Sequence, residues 1–423
     1  MHRRFTSFLI LVLPMAALLN GCASERPILY NITPQFTVHD PQFAQTMGHL
    51  LGPQLVGENT VTTLTNGDQI FPAMLDAIHS AQKTITFETY IYWSGKMGQA
   101  FADALAERAR AGVKVYALID WVGGDRIDPK YVKEMTDAGC QVKRYHPFHI
   151  LLPATWFDLD HRTHRKILVI DGTIGFTGGV GIADDWMGNA QDSKHWRDTH
   201  YRIEGPVVSQ LQAVFDDNWM QTTGEVLQGN DFFPELHAKG KQWAQVFKSS
   251  FTGGSENMQL LFLLSIAAAG SDIRIENAYF VPDELTIRSL TAAAKRGVHV
   301  TIIVPGAHID EKEVRQASRA HWGKLLKAGI EIWEYHPTMF HCKLLIVDDL
   351  WVSIGSSNMD NRSFRVNDEA NINVLDADFA AEQIREFEAD KKRSRQVTYD
   401  QWARRPLGEK IGDHFFTAFG WEL

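Results

Sequence analysis

Hydrophobic and polar positions along this chain follow two rhythms in turn. Residues 84–91, with Ile85, Phe87, Tyr90 and Ile91 set among threonines, are β-branched and aromatic, as a strand requires. Residues 98–110 then read as a helix, and 112–120 return to strand. The series recurs later. Residues 273–276 lead to Tyr279 and Phe280, a helix runs to Arg296, and 297–304 form another apolar strand. The match extends from Ala138-Gly139 through Tyr145-His146-Pro147, which pairs with Ala328-Gly329 through Tyr335-His336-Pro337. Agreement over so many positions indicates an internal duplication. Strands separated by helices of ten or more residues imply right-handed crossovers and parallel or mixed sheets. The predicted class is therefore α/β, each half an α/β/α sandwich with helices on both sheet faces.

The glycines and proline between residues 223 and 256 mark that stretch as a connection between halves. The predicted division is an N-terminal arm at 23–60, a first half at 61–222, a second half at 257–395 and a tail at 396–423. The halves differ in one respect. Seventeen positions separate Pro147 from His164, but four separate Pro337 from His341. The extra residues include Leu151, Leu152, Trp156 and Phe157. They are expected to form either an apolar lid beside a polar site or a loop packed on the other half.

Chemistry enters with a second repeat. His164-Arg165-Lys166 runs through an apolar stretch to Asp171, and His341-Cys342-Lys343 does the same to Asp348. Both spell His-x-Lys-x4-Asp and continue to Gly178-Gly179 and Gly355-Ser356. Residues i and i+2 of a strand share a face, so each His and its Lys point the same way. The apolar runs behind them suit strands buried on both faces, where an unused His or Lys is costly. A neutral imidazole is a nucleophile near neutral pH, and a second imidazole can protonate a leaving alkoxide. Two lysines can offset charge on non-bridging phosphate oxygens. Asp171 and Asp348 complete the catalytic motif but lie seven positions past their His, so strand parity turns them away. They are expected to form structural ion pairs across the core.

Composition narrows the function classes. The chain has 423 residues, 44% hydrophobic, with a net charge of −9. That length suits two or three domain-sized units. The acidity argues against a nucleic-acid partner. Three cysteines, Cys22, Cys140 and Cys342, make neither a disulfide framework nor a metal pair. No His-Glu-x-x-His, Cys-x-x-Cys or phosphate-loop pattern is present, so neither metal nor cofactor is expected. The repeat-matched His146 and His336, each before a proline, are read as structural. At the N-terminus, Arg3 and Arg4 precede an apolar run, and Leu19-Asn20-Gly21-Cys22 is similar to a bacterial lipobox. Residues 1–22 are thus expected to be a lipoprotein signal peptide with Cys22 lipidated; an uncleaved anchor helix is the alternative. Either tethers the chain to a membrane.

The two motifs and their surroundings resemble the phospholipase D superfamily, and within it the bacterial cardiolipin synthases. The residues that carry the likeness include Trp196-Arg197-Asp198, Tyr279-Phe280-Val281-Pro282, and the run from Gly355 through Asn358, Asp360 and Phe364, followed by Asn367 and Glu369. It covers roughly residues 60 to 395. The resemblance implies a pseudo-twofold pairing of the halves around one shared active site. It implies that His164 is the nucleophile and His341 the acid/base. It gives Gly179, Ser356 and Asn358 to phosphate binding or support, and Asp198 and Glu369 to orienting the imidazoles. The family pattern departs at Gly181, where an asparagine is usual.

The leading expectation is a phosphatidyltransferase joining two glycerophospholipids, with membrane phospholipids such as phosphatidylglycerol as partners. It would act as a monomer on the periplasmic side of a bacterial envelope. Phospholipid hydrolysis is the alternative; a nuclease and a silent lipid-binding module are weaker readings.

Overall fold

A computed structural model describes residues 30–148, 160–250 and 257–417. Residues 1–22, expected to be a signal peptide, with Cys22, and Leu151, Leu152, Trp156 and Phe157 of the insertion, lie outside those residues. Fifteen strands among the described residues form one sheet. In the first half they are β1 (Val56–Thr65), β2 (Thr84–Thr89), β3 (Lys114–Asp120), β4 (Gln141–Tyr145), β5 (Ile167–Ile170), β6 (Ile174–Gly178) and β7 (Thr199–Glu204). The second half supplies β8 (Gln242–Ser249), β9 (Asp272–Asn277), β10 (His299–Pro305), β11 (Glu331–Tyr335), β12 (Lys343–Val347), β13 (Trp351–Gly355) and β14 (Glu369–Leu375), with β15 (Ser394–Val397) added at its edge.

The strand order is β15-β11-β10-β9-β12-β13-β14-β8-β1-β7-β6-β5-β2-β3-β4. Read outward from the β8–β1 seam, the halves give the same sequence of strands, as a twofold relation requires. In each half the first three strands of the βαβ unit are parallel and the rest antiparallel. Helices Lys96–Arg110 and Pro129–Asp137 make the crossovers of the first half. Glu284–Lys295 and Lys312–Lys327 make those of the second. The expected α/β duplication is the observed architecture.

The stretch 223–256 read as a connection contains β8, which pairs with β14 from Trp243 to Ser249. Its glycines flank the strand rather than interrupt it. β1 and β8 occupy matching places, each antiparallel to the last strand of its own half.

The motif strands sit centrally. Every residue of β5 and β12 is buried. Leu168, Val169, Leu345 and Ile346 are at most 1% exposed, and each contributes roughly 1.5–3 kcal/mol by leaving water. These runs hold the polar residues at their leading ends. Because β5 and β12 run antiparallel to β2 and β9, those ends meet the carboxyl ends of the parallel strands, the usual place for a site in an α/β sheet. Among the described residues no helix is long and apolar enough to cross a membrane.

Candidate active site

Two isolated bridges bring the halves together. Thr163 pairs with Asp368, and Arg197 pairs with Phe340. The backbone N–H of His164 donates to Asp368 O at 2.9 Å, and that of His341 to Arg197 O at 2.8 Å. Each histidine thus stands one residue past a bridge, beside a carboxylate one residue past the same bridge on the other half. His164 Nδ1 lies 2.9 Å from Glu369 Oε1, and His341 Nδ1 lies 2.7 Å from Asp198 Oδ2. Asp198 and Glu369 therefore lie in orienting positions, but exchanged between halves. Nothing in the linear spacing revealed the exchange, since each acid follows the other histidine in sequence.

The carboxylates are held in turn. Ser356 Oγ donates to Glu369. Trp186 Nε1 and the Thr199 N–H donate to the two oxygens of Asp198, at 2.9 and 2.8 Å. Burial alone would raise both acids. The facing imidazoles and lysines outweigh it and keep both carboxyls below the ordinary range. With Nδ1–H given to a carboxylate, each ring keeps Nε2 for chemistry.

His164 and His341 are 8% and 6% exposed. Burial lowers His164 to about 4; Glu369 opposes the drop and Lys166 adds to it. His341 is lowered by burial and then by Lys343, against Asp198. Both rings are thus neutral near pH 7. A phosphodiester anion entering between them would favour protonation of whichever ring serves as acid.

The lysines are built alike. Lys166 Nζ donates to His164 O, and Lys343 Nζ to His341 O, both at 2.6 Å. Lys343 Nζ also lies 3.1 and 3.2 Å from the His341 ring nitrogens. Burial pulls Lys166 down to about 7 despite Glu369, with Lys343 adding to the drop. Two mutually repelling cations at low exposure are stabilised by an anion between them.

A cavity of about 360 Å³ opens on this constellation, lined by His164, Lys166, His341 and Asn358 together with Tyr90, Trp93, Trp186, Trp196 and Tyr279. That volume suits a phosphodiester with its alcohol, and is far too small for two acyl chains. Trp186 and Asp310, which also line it, were not singled out in the sequence. A tryptophan donor to a carboxylate twelve residues away has no motif of its own.

Gly179 packs directly on Asp198: a Cβ there would stand 2.2 Å from a carboxylate oxygen. At Gly181 the Cβ of an asparagine would stand 2.6 Å from Ile91 Cβ. Ile91 fills the space that the family asparagine would need.

Asp171 and Asp348 are not in the cavity, and their main partners are backbone N–H groups rather than ion pairs across the core; Asp348 also lies 4.0 Å from His39 Nε2 at the surface. Asp171 accepts from the backbone N–H of Gln82, Lys83 and Thr84 at 2.9, 2.7 and 2.9 Å. Asp348 does the same for Gly270, Ser271 and Asp272 at 3.1, 2.9 and 3.0 Å. Both have left-handed backbones, φ 52° and 55°. That turn folds the carboxylate back under the start of the neighbouring strand, where unpaired N–H groups need an acceptor. His146 stacks on Tyr145 with ring centroids 4.0 Å apart, and the backbone N–H of His336 donates to Arg393 O.

One group of possible metal ligands occurs among the described residues, Glu276, Cys342 and Asp390. The Arg197 guanidinium already holds Asp390, at 2.7 Å from Oδ2.

Residues 74–219 and 263–391 match the family described as cardiolipin synthase, phospholipase D-like domain. Cardiolipin synthase 2 of Bacillus anthracis is 35% identical over 353 residues, 82% of this chain and 68% of that protein. A cardiolipin synthase of Geobacillus sp. strain WCH70 is 36% identical over 368 residues, 86% of this chain and 73% of that one. The crystal structure of phosphatidylserine synthase from Haemophilus influenzae Rd KW20 shares the fold. Its TM-score is 0.70 at 12% identity, over 90% of this chain and all of that one. The two family segments fall on the two halves whose histidines and acids meet across the seam, and the chain belongs to the cardiolipin synthase family of phospholipase D-like enzymes.

Proposed function

We propose that this enzyme is a phosphatidyltransferase that joins two glycerophospholipids through a phosphohistidine. The observation that carries this reading is the crossed pair: two neutral imidazoles, each backed by a carboxylate of the other half, at one cavity that Lys166 also lines, with Lys343 beside the His341 ring. His164 Nε2 attacks the donor phosphorus, a P–N bond forms, and the bond to the leaving alcohol breaks. His341 protonates that alcohol. A second alcohol then gives its proton to His341 and takes the phosphatidyl group, releasing His164. Lys166, Lys343 and Asn358 hold the non-bridging oxygens, Ser356 steadies Glu369, and Gly179 leaves room for Asp198.

Exchange of one phosphodiester and alcohol for another is close to energy-neutral. The proposed donor and acceptor are phosphatidylglycerol, giving cardiolipin and glycerol. A tether through Cys22 or an uncleaved N-terminal helix would hold the enzyme at a bacterial membrane, on the periplasmic side, where lipid alcohols are locally dense.

The test is product analysis with phosphatidylglycerol vesicles. Cardiolipin plus free glycerol is expected, with added glycerol reversing the reaction. Phosphatidic acid as the main product in lipid-rich vesicles would replace transfer by hydrolysis.

A further inference from the structure

The two halves do not contribute equal walls to the cavity. Matching bridges, Tyr92 with Ile182 and Phe280 with Met359, put Ile91 and Tyr279 in equivalent places. They likewise make Gly181 the counterpart of Asn358. The first half thus presents isoleucine and glycine where the second presents a phenol and a carboxamide. The loops that follow are also related, Ile127-Asp128 before one crossover helix and Ile309-Asp310 before the other. Asp128 caps its own helix, accepting from the Lys130 N–H at 2.9 Å. Asp310 does not cap; it lines the catalytic cavity and accepts from Tyr279 Oη at 2.6 Å.

Tyr279 lies edge-on to His341, ring centroids 6.4 Å apart. Asp310 is close enough to act electrostatically on both His341 and Lys343. Asn358 is 3% exposed and lines the same cavity, and its carboxamide oxygen has no partner among the described residues. A polar wall of acceptors therefore adjoins the histidine to which the acceptor alcohol must give its proton.

We infer that Tyr279 and Asp310 form a subsite for the second hydroxyl of a vicinal-diol acceptor, such as a glycerol headgroup, and so set which alcohol is used. This rests on the phosphatidyltransferase reading. The reacting hydroxyl gives its proton to His341 Nε2 as its oxygen takes phosphorus from His164. The neighbouring hydroxyl donates to the Asp310 carboxylate, which the Tyr279 phenol holds in place. Water and monohydric alcohols can make the first contact but not the second. A cationic alcohol would suffer repulsion from Lys343 and Lys166, whereas a neutral diol would not.

The experiment uses the full chain with acyl-labelled phosphatidylglycerol as donor. Equal concentrations of deuterated glycerol, 1-propanol and ethanolamine compete, and mass spectrometry reads the products. The wild type is expected to favour deuterated phosphatidylglycerol over phosphatidylpropanol at least tenfold. Asp310→Asn and Tyr279→Phe should each cut that ratio about tenfold, the scale of one hydrogen bond to a charged group. Because the ratio is internal to each sample, it is insensitive to the fraction of protein that folds. A wild-type ratio near one, a ratio unmoved in both variants, or a preference for ethanolamine would overturn the inference. Headgroup release without diol preference sinks this inference alone; absence of any headgroup release sinks the proposed function with it.

Discussion

The two halves of this enzyme share strand order, motif and bridging pattern, yet they diverge where the substrate would sit. The lysine contacts are duplicated to the same 2.6 Å, and the strand-end aspartates each gather three backbone N–H groups. By contrast, the first half has Ile91 and Gly181 where the second has Tyr279 and Asn358. The carboxylate settings differ as well. Glu369 offers both oxygens to His164, at 2.9 and 3.0 Å, while Asp198 offers one to His341 at 2.7 Å and is pinned by Trp186. A symmetric frame with asymmetric walls suits a reaction in which one imidazole must attack and the other must move protons.

The largest effects should come from the histidines. His164→Asn and His341→Asn are each expected to lower turnover by about 10⁴-fold or more, as loss of a group that acts in a concerted unit does. Steady-state lipid turnover with circular dichroism as a folding control checks this. A variant that keeps a tenth of its activity would remove that histidine from the chemistry.

The crossed carboxylates come next. Glu369→Gln and Asp198→Asn should each cost about 10- to 100-fold, typical of a group that orients a working imidazole. pH sharpens the test. His164 must be neutral to attack, and its free-enzyme value is about 4. So kcat/KM should persist on acidification and fall only as pH drops toward 4. Lys166, at about 7, and the acid His341, which burial holds below its ordinary range, must both be protonated, so together they should set an alkaline limb, with kcat/KM falling as pH rises through their values. Removing Glu369 removes support for both cations, so in Glu369→Gln the alkaline limb should move to lower pH. An unshifted limb would assign it to another group.

Much of this site could be read from the chain because the chemistry is local. A His and a Lys two apart on a buried strand are forced to one face, and duplication supplies the second set. What the sequence left open depends on contacts between distant segments. Glu369 meets His164 because Thr163 bridges Asp368, a pairing no periodicity encodes. Asp171 and Asp348 were assigned to ion pairs because parity turns them from the site. Their left-handed backbone, invisible in composition, gives them to N–H groups instead. β8 escaped notice because flanking glycines and a proline signal a loop more strongly than eight residues of mixed polarity signal a strand.

Smaller effects follow from the unequal walls. Asn358→Ala should raise KM and lower kcat/KM about tenfold, by loss of one phosphate contact. Gly181→Asn should supply no second contact. It should instead destabilise the fold by about 1–3 kcal/mol, because its Cβ meets Ile91. Thermal unfolding of the two variants, beside their kinetics, separates these outcomes. A Gly181→Asn protein that gained affinity would show the walls to be interchangeable.

The smallest effect on chemistry is expected at the strand ends. Asp348→Ala should cost about 1 kcal/mol by leaving part-buried N–H groups without their acceptor, with kcat per folded molecule near wild type. A loss of kcat at unchanged stability would return this aspartate to the reaction.

The central claim is that the unequal halves divide the labour, His164 taking the phosphatidyl group and His341 the protons. The direct measurement is to quench the enzyme with phosphorus-labelled phosphatidylglycerol and locate the label by peptide mapping. It should lie on His164 in the wild type, persist in His341→Asn and vanish in His164→Asn. Label on His341 in the wild type would reverse the roles, and turnover without any labelled histidine would contradict the covalent mechanism.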